Sequence, residues 1–218
     1  GSDAFGAVNT VLGSASTPPD MMARVIRACA QIGGTTGVDI LVQRLGSTET
    51  RVEMEVLRGL HANGYRARSA ETTALVMQRI ESTTSRSAWC MAAILDLTDL
   101  NDADTVLAAL GREVDDRREL LFLLLTLIYE PSQIELVRAS FRSGDPDGRV
   151  YALELLDALV TPRVKQLIFP LLEDLALVQR VRRLDTPCPQ RRMDPVSRLK
   201  NIVMAEYSIT SRWSRTCA

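Results

Sequence analysis

Apolar residues recur along this chain every three or four positions, and short clusters of Gly, Pro, Asn and Asp cut the pattern into segments. Val38, Leu41, Val42 and Leu45 fall at i, i+3, i+4 and i+7, one face of a short helix. Thr36 and Asp39 have the spacing of a capping box at its start. Val52, Val56 and Leu60 form a second stripe, and Val150, Leu153, Leu156 and Val160 a third. Leu120 to Leu125 is apolar on every side except for what lies beyond it, as in a helix sandwiched between neighbours. No stretch alternates with period two over β-branched residues, so the pattern predicts an all-α chain with essentially no sheet.

The interruptions divide this helical material. They are Pro18-Pro19, Gly33-Gly34, Gly46-Ser47, Asn63-Gly64, Pro131, Gly144-Asp145-Pro146, Thr161-Pro162 and Pro187-Cys188-Pro189. They predict helices of roughly 10–18 residues joined by short turns, which makes sequential helices antiparallel neighbours. Pro170 lies inside a helical pattern, where it lacks an N–H and crowds the carbonyl of Gln166; a kink is expected there.

A repeat runs through the segments. Asp20 and Arg24 open one helix with an Asp-x-x-x-Arg pattern, and Asp145 and Arg149 open another. Arg51, Arg86 and Arg118 fall near the expected starts of helices between them, and Arg212 precedes the last one. The mean step is about 31 residues, the length of a helix pair. One pair cannot bury its apolar face alone, so pairs must stack into two layers. The expected architecture is an all-α, right-handed α-solenoid of about six HEAT-like helix pairs, irregular near 161–210 where the rhythm skips a unit.

An Asp-x-x-x-Arg opening, an apolar helix, a tight turn and a second helix at this period resemble the short bacterial HEAT-like repeats of phycobilisome-lyase-like proteins. Four segments, VIRACAQIGG (25–34), VLRGLHANGYRA (56–67), YALELLDALVTPRVKQLIFPLLED (151–174) and RWSRTCA (212–218), are similar to a bacterial fusion family. In that family such repeats follow a membrane domain like those of nucleotide translocases or major-facilitator transporters, and a cyclic-nucleotide-binding domain often comes after them. The resemblance implies a cytoplasmic, transporter-associated segment. It carries over no transport or nucleotide-binding residue, because neither flanking domain is in this chain.

Composition narrows the chemistry. A formal net charge of −1 gives no global field for nucleic acid. Aromatics at 5% argue against a base-stacking groove, and with it a HEAT-type DNA glycosylase. A lyase activity would rest on fold analogy alone. Cys29, Cys90, Cys188 and Cys217 are scattered without a CxxC pair, and His61 is the sole histidine, so the spacing supports neither a zinc site nor a disulfide framework. Reduced thiols in the cytoplasm are the simpler reading. Gly33-Gly34-Thr35-Thr36-Gly37 follows a helix rather than a strand and reads as a turn, not a phosphate cradle. Asp99, Asn101, Asp102 and Asp104 lack the glycine and terminal glutamate of a calcium loop and read as the acidic start of a helix. No catalytic, cofactor or metal-binding residue is expected.

Five arginines, Arg180, Arg182, Arg183, Arg191 and Arg192, surround a Pro-rich turn. They fit two roles: cations complementing a helix C-terminus, or a contact surface for an acidic partner or the inner face of a membrane. Gly1-Ser2 reads as a cloning remnant, leaving 3–218 as one repeat domain that stops within a repeat. Trp213 and Cys217, at i and i+4 behind the N-cap candidate Ser211, form an apolar edge whose neighbours would come from beyond Ala218; the edge is expected to be frayed, or covered by another copy (self-association) or by another domain. The function expected is a non-catalytic interaction or spacer module of a larger protein, with protein or intramolecular-domain partners, membrane contact only through the parent, and a free-standing adaptor as the alternative.

Overall fold

The computed structural model describes residues 2–14, 17–46, 50–205 and 210–218. Among them lie twelve helices and no strand: α1 (Ser2–Gly13), α2 (Pro19–Ile32), α3 (Gly34–Gln43), α4 (Thr50–Ala62), α5 (Ala70–Leu97), α6 (Asp104–Ile128), α7 (Pro131–Ser143), α8 (Pro146–Leu159), α9 (Pro162–Leu172), α10 (Leu177–Leu184), α11 (Pro195–Met204) and α12 (Arg212–Cys217). Each described break in the sequence pattern falls at a helix boundary or in a connection. Prolines supply the first helical residue of α2, α7, α8, α9 and α11, where the missing N–H has no intrahelical partner to lose. Ser47 lies outside the described residues.

Contacts group the chain into two compact units, Gly1–Ala67 and Arg68–Ala218. In the first unit α2, α3 and α4 pack on one another. Gly33 links α2 to α3 at φ +63°, ψ −150°, a conformation open to glycine and not to a residue with a Cβ. This starts α3 two residues before Thr36, so Thr36 and Asp39 lie inside the helix and the cap has no side-chain hydrogen bond. Gly59 brings α4 close to α2 and α3: a Cβ there would stand 2.8 Å from Ala30 Cβ and 3.0 Å from Leu41 Cδ1. Asn63 Nδ2 fastens the end of α4 by donating to the carbonyls of Ala30 at 2.9 Å and Gly59 at 2.8 Å.

The second unit is built on two long helices, α5 of 28 residues and α6 of 25. Residues 70–97 contain neither Gly nor Pro, and the lone Gly111 does not stop α6. Arg86 and Arg118 therefore sit in mid-helix, not near helix starts, and the helices exceed the expected length. Leu120–Leu125 is buried on all sides, as its pattern predicts. On α8 the buried face is Ala152, Leu156 and Val160, whereas Val150 is 59% exposed; the stripe is offset from the one read from sequence. Pro170 falls in the last turn of α9, which ends two residues later.

The two Asp-x-x-x-Arg openings are not in one register. Asp145 is the N-cap of α8 and accepts from Gly148 N at 3.0 Å. Asp20 lies within the first turn of α2, makes no cap bond, and pairs with Arg51 of α4; Arg24 is exposed. Arg212 begins α12, but its side chain lies outside the described residues.

The last helices fold back on α5 and α6. Ile202 joins Cys90, Ala93, Leu97, Ala103, Val106 and Leu110 in one core cluster, with Leu199 and Cys217 packed against it. Two buried carboxylates hold this return. Asp96 of α5 accepts from Arg198 Nε at 2.9 Å and Nη2 at 2.6 Å, from Met193 N at 3.1 Å, and from Arg192. Glu113 of α6 accepts from Thr210 Oγ1 at 2.9 Å, from Ser211 N at 2.8 Å and from Ser214, and pairs with Arg117 at 2.9 Å. Ser211 caps α12 as expected, accepting from Ser214 N at 3.1 Å. The expected edge is split: Cys217 finds neighbours within this chain, while Trp213 is 58% exposed.

Candidate functional site

Three cavities follow one another along α5 and α9 in the second unit, with volumes of about 750, 580 and 630 Å³. Gln78, Glu81 and Arg163 line both the first and the second; Gln166 and Pro187 line both the second and the third. Together they make one continuous groove. Its α5 wall is a polar stripe, Gln78, Glu81, Ser82 and Ser85, at i, i+3, i+4 and i+7. Its other wall is α9, and the turn at Pro187 and Cys188 closes one side.

Local sequence explains the shape. Pro162 starts α9 and Pro170 ends it, so α9 is short beside the uninterrupted α5. Pro170 also denies the Gln166 carbonyl its donor at i+4, leaving a backbone acceptor beside the groove. Beside the Glu81 carboxylate, Gln78, Ser82, Ser85 and Gln166 offer amide and hydroxyl groups that donate and accept, suited to a peptide backbone. Phe169, Pro162, Pro170 and Pro187 give the third cavity an apolar surface. Lys165 stands over Phe169, 5.2 Å from the ring centroid, and pairs with Asp157. Arg163 and Glu81 form an exposed ion pair across the groove, of a kind worth about 1 kcal/mol or less.

The five arginines of the basic run differ in their surroundings. Arg183 pairs with Glu173 at the third cavity, and Arg192 with Asp96. Arg182 and Arg191 are exposed. Arg191 borders a separate depression of about 490 Å³ with Lys200 and Asn201. Arg180 is half-buried, with Nε donating to the Leu175 carbonyl at 2.9 Å.

Other candidates have structural surroundings. His61 lies in the last turn of α4. Asp104 is in the first turn of α6 and Asp102 has φ +62°, so the acidic cluster is the approach to a helix. Cys90 is buried between Arg117 and Glu113, and burial raises its thiol to about 12 against the pull of Arg117. Burial likewise raises Cys29 and Cys188. The four cysteines form no disulfide. Among the described residues no group of three or more His, Cys, Asp or Glu is placed to hold a metal ion, and no helix is long and apolar enough to cross a membrane.

The groove residues of α5 went unread in the sequence, although Gln78, Glu81, Ser82 and Ser85 carry a helical period of their own. A polar stripe normally marks the solvated face of a helix; only the placement of α9 beside it makes a groove. Compared with protein-family models, curated proteins and solved structures, the chain matches none.

Proposed function

We propose that this chain is an interaction module of HEAT-like helix pairs that holds a segment of a protein partner, or of a neighbouring domain of its parent protein, in the α5/α9 groove. The continuity of the groove carries this reading: its shared linings offer hydrogen-bonding groups along one wall and apolar contacts at one end, as a short segment requires. The repeat component draws support from ties between residues about one helix pair apart. Arg51 reaches Asp20 over 31 positions, Thr161 N donates to Tyr129 Oη over 32, and Asn63 reaches Ala30 over 33. A right-handed solenoid with a binding or spacing role in a larger bacterial, transporter-like protein is the reading that joins these ties to the sequence resemblance.

The test is a photo-crosslinking amino acid placed at Ser82 and, as a control, at the exposed Leu136 of α7, in the parent protein in its native cells. The expected result is a discrete crosslink from position 82, mapping to one partner segment and lost when Gln166→Arg fills the groove. Equal, diffuse labelling from both positions overturns the groove reading.

A further inference from the structure

α11 has two unlike faces. Ile202 enters the core cluster, Arg198 turns inward onto Asp96, and Leu199 packs beside them. The helical turn then carries Val196, Lys200, Val203 and Met204, at i, i+4, i+7 and i+8, to the other side. All four are exposed, and the three apolar ones strongly so: Val196 is 59% exposed, Val203 41% and Met204 81%. Around the helix axis Lys200 falls between the two valines and Met204. Three large apolar side chains left in water on one face of a ten-residue helix mark a surface that something covers.

The charge beside this face says what. Lys200 and Met204 line the depression of about 490 Å³ together with Arg191 and Arg192 from the preceding loop. Arg192 is paired with Asp96, but among the described residues no carboxylate lies in ion-pair distance of Arg191 or Lys200. Asp194 also lines the depression, yet its carboxylate is committed to the helix cap, accepting from Ser197 N at 3.0 Å. At the other end of α11, Arg215 Nε donates to the Val203 carbonyl at 3.0 Å, which holds a further cation there. Apolar side chains flanked by cations complement a surface that is anionic outside and apolar within. A peptide lying in the depression would leave Val196 and Val203 in solvent, because neither lines it. A bilayer surface covers both valines and brings its phosphates to the cations at the same time.

We propose that the outer face of α11 is a docking surface for an anionic phospholipid bilayer, separate from the α5/α9 groove. Val196, Val203 and Met204 enter the headgroup boundary, and Arg191 and Lys200 meet the lipid phosphates. The helix lies on the membrane and does not cross it, for which ten residues are too few.

The experiment sediments the full chain with vesicles of phosphatidylcholine containing about one-third phosphatidylglycerol, and with phosphatidylcholine vesicles alone, at one fixed salt concentration. Binding to the anionic vesicles at least tenfold stronger than to the neutral ones is expected. Arg191→Glu with Lys200→Glu should weaken it at least tenfold. Val203→Ser with Met204→Ser keeps every charge and should also lose at least tenfold. If that pair does not fold, Met204→Ser alone should still lose about threefold or more. Arg191→Lys with Lys200→Arg preserves the charge and should bind within about threefold of wild type. Arg24→Glu with Arg44→Glu, the same charge change in the first unit, should leave binding unchanged. Wild-type protein that stays in solution with the anionic vesicles overturns the proposal; self-association lost in the serine variant would then assign the face to a second copy. An equal loss in the Arg24/Arg44 variant also overturns it, by assigning the effect to general surface charge. So does binding that the serine substitutions leave unmoved and that soluble polyglutamate competes away, which would assign the cations to an acidic peptide.

Discussion

Asp96→Ala tests whether the C-terminal return is held by its buried carboxylate. The Asp96 side chain is wholly buried and faces an Arg198 side chain only 2% exposed. Deleting the carboxylate strands that guanidinium and removes the acceptor of Met193 N. Breaking a buried pair from one side costs about 3–5 kcal/mol. The Arg191 carbonyl at 2.9 Å and Asn201 Oδ1 at 3.3 Å remain as partial compensation for Arg198, which favours the lower part of that range. A loss of about 3 kcal/mol is a large share of the 5–15 kcal/mol typical of a folded domain, and corresponds to a melting shift of roughly 6–12 °C. Both tryptophans, Trp89 and Trp213, lie in the second unit, and Arg198 stands over the Trp89 ring at 5.6 Å. Urea unfolding followed by tryptophan fluorescence therefore reports on the right part of the chain. Adding Arg198→Met to Asp96→Ala removes the stranded charge and should recover part of the loss. A single variant losing less than about 1 kcal/mol, or a double variant no better than the single, would refute the account.

Three further outcomes follow from particular contacts. Gly59→Ala should destabilise the first unit by about 1–3 kcal/mol despite the gain in helix propensity, because the new Cβ meets Ala30 Cβ at 2.8 Å; unfolding followed by hydrogen exchange across α2 and α4 measures it. Burial pushes Glu113 up, but Arg117, Ser214 and Ser211 outweigh it and hold its carboxyl below the usual carboxylate range. A lowered carboxylate stabilises above its unfolded pKa, about 4.3, and that stability is lost as pH falls through the folded value. Melting temperatures of wild type should thus fall more steeply below about pH 4 than those of Glu113→Gln; parallel acid limbs would contradict this. In the native protein at pH 8, Cys217 should react first with a disulfide reagent, while buried Cys29, Cys90 and Cys188 wait for unfolding; four equally fast thiols would contradict the burial of those three.

Fold class and most helix ends were legible in the sequence because they are local properties. Helical period, proline at a first turn, and glycine at a positive φ each act within a few residues, and Pro19, Gly33, Pro131, Asp145 and Pro162 all mark real boundaries. The helix starts expected near Arg86 and Arg118 came from a counted rhythm rather than from a breaking residue, and the long helices α5 and α6 run through both. What depended on distant residues could not be read this way. Asp96 finds Arg198 across 102 positions and Glu113 finds Ser214 across 101, and no local pattern distinguishes those carboxylates from the exposed ones around them. The groove is of the same kind: Gln78, Ser82 and Ser85 are an unremarked polar stripe until α9, shortened by its two prolines, packs beside them. Arg180 belonged by sequence to the basic run, and in the structure it is tied to the Leu175 carbonyl. Period and punctuation determine which segments are helices; long-range burial, which removes charges from water and makes them choose partners, decides which side chains meet.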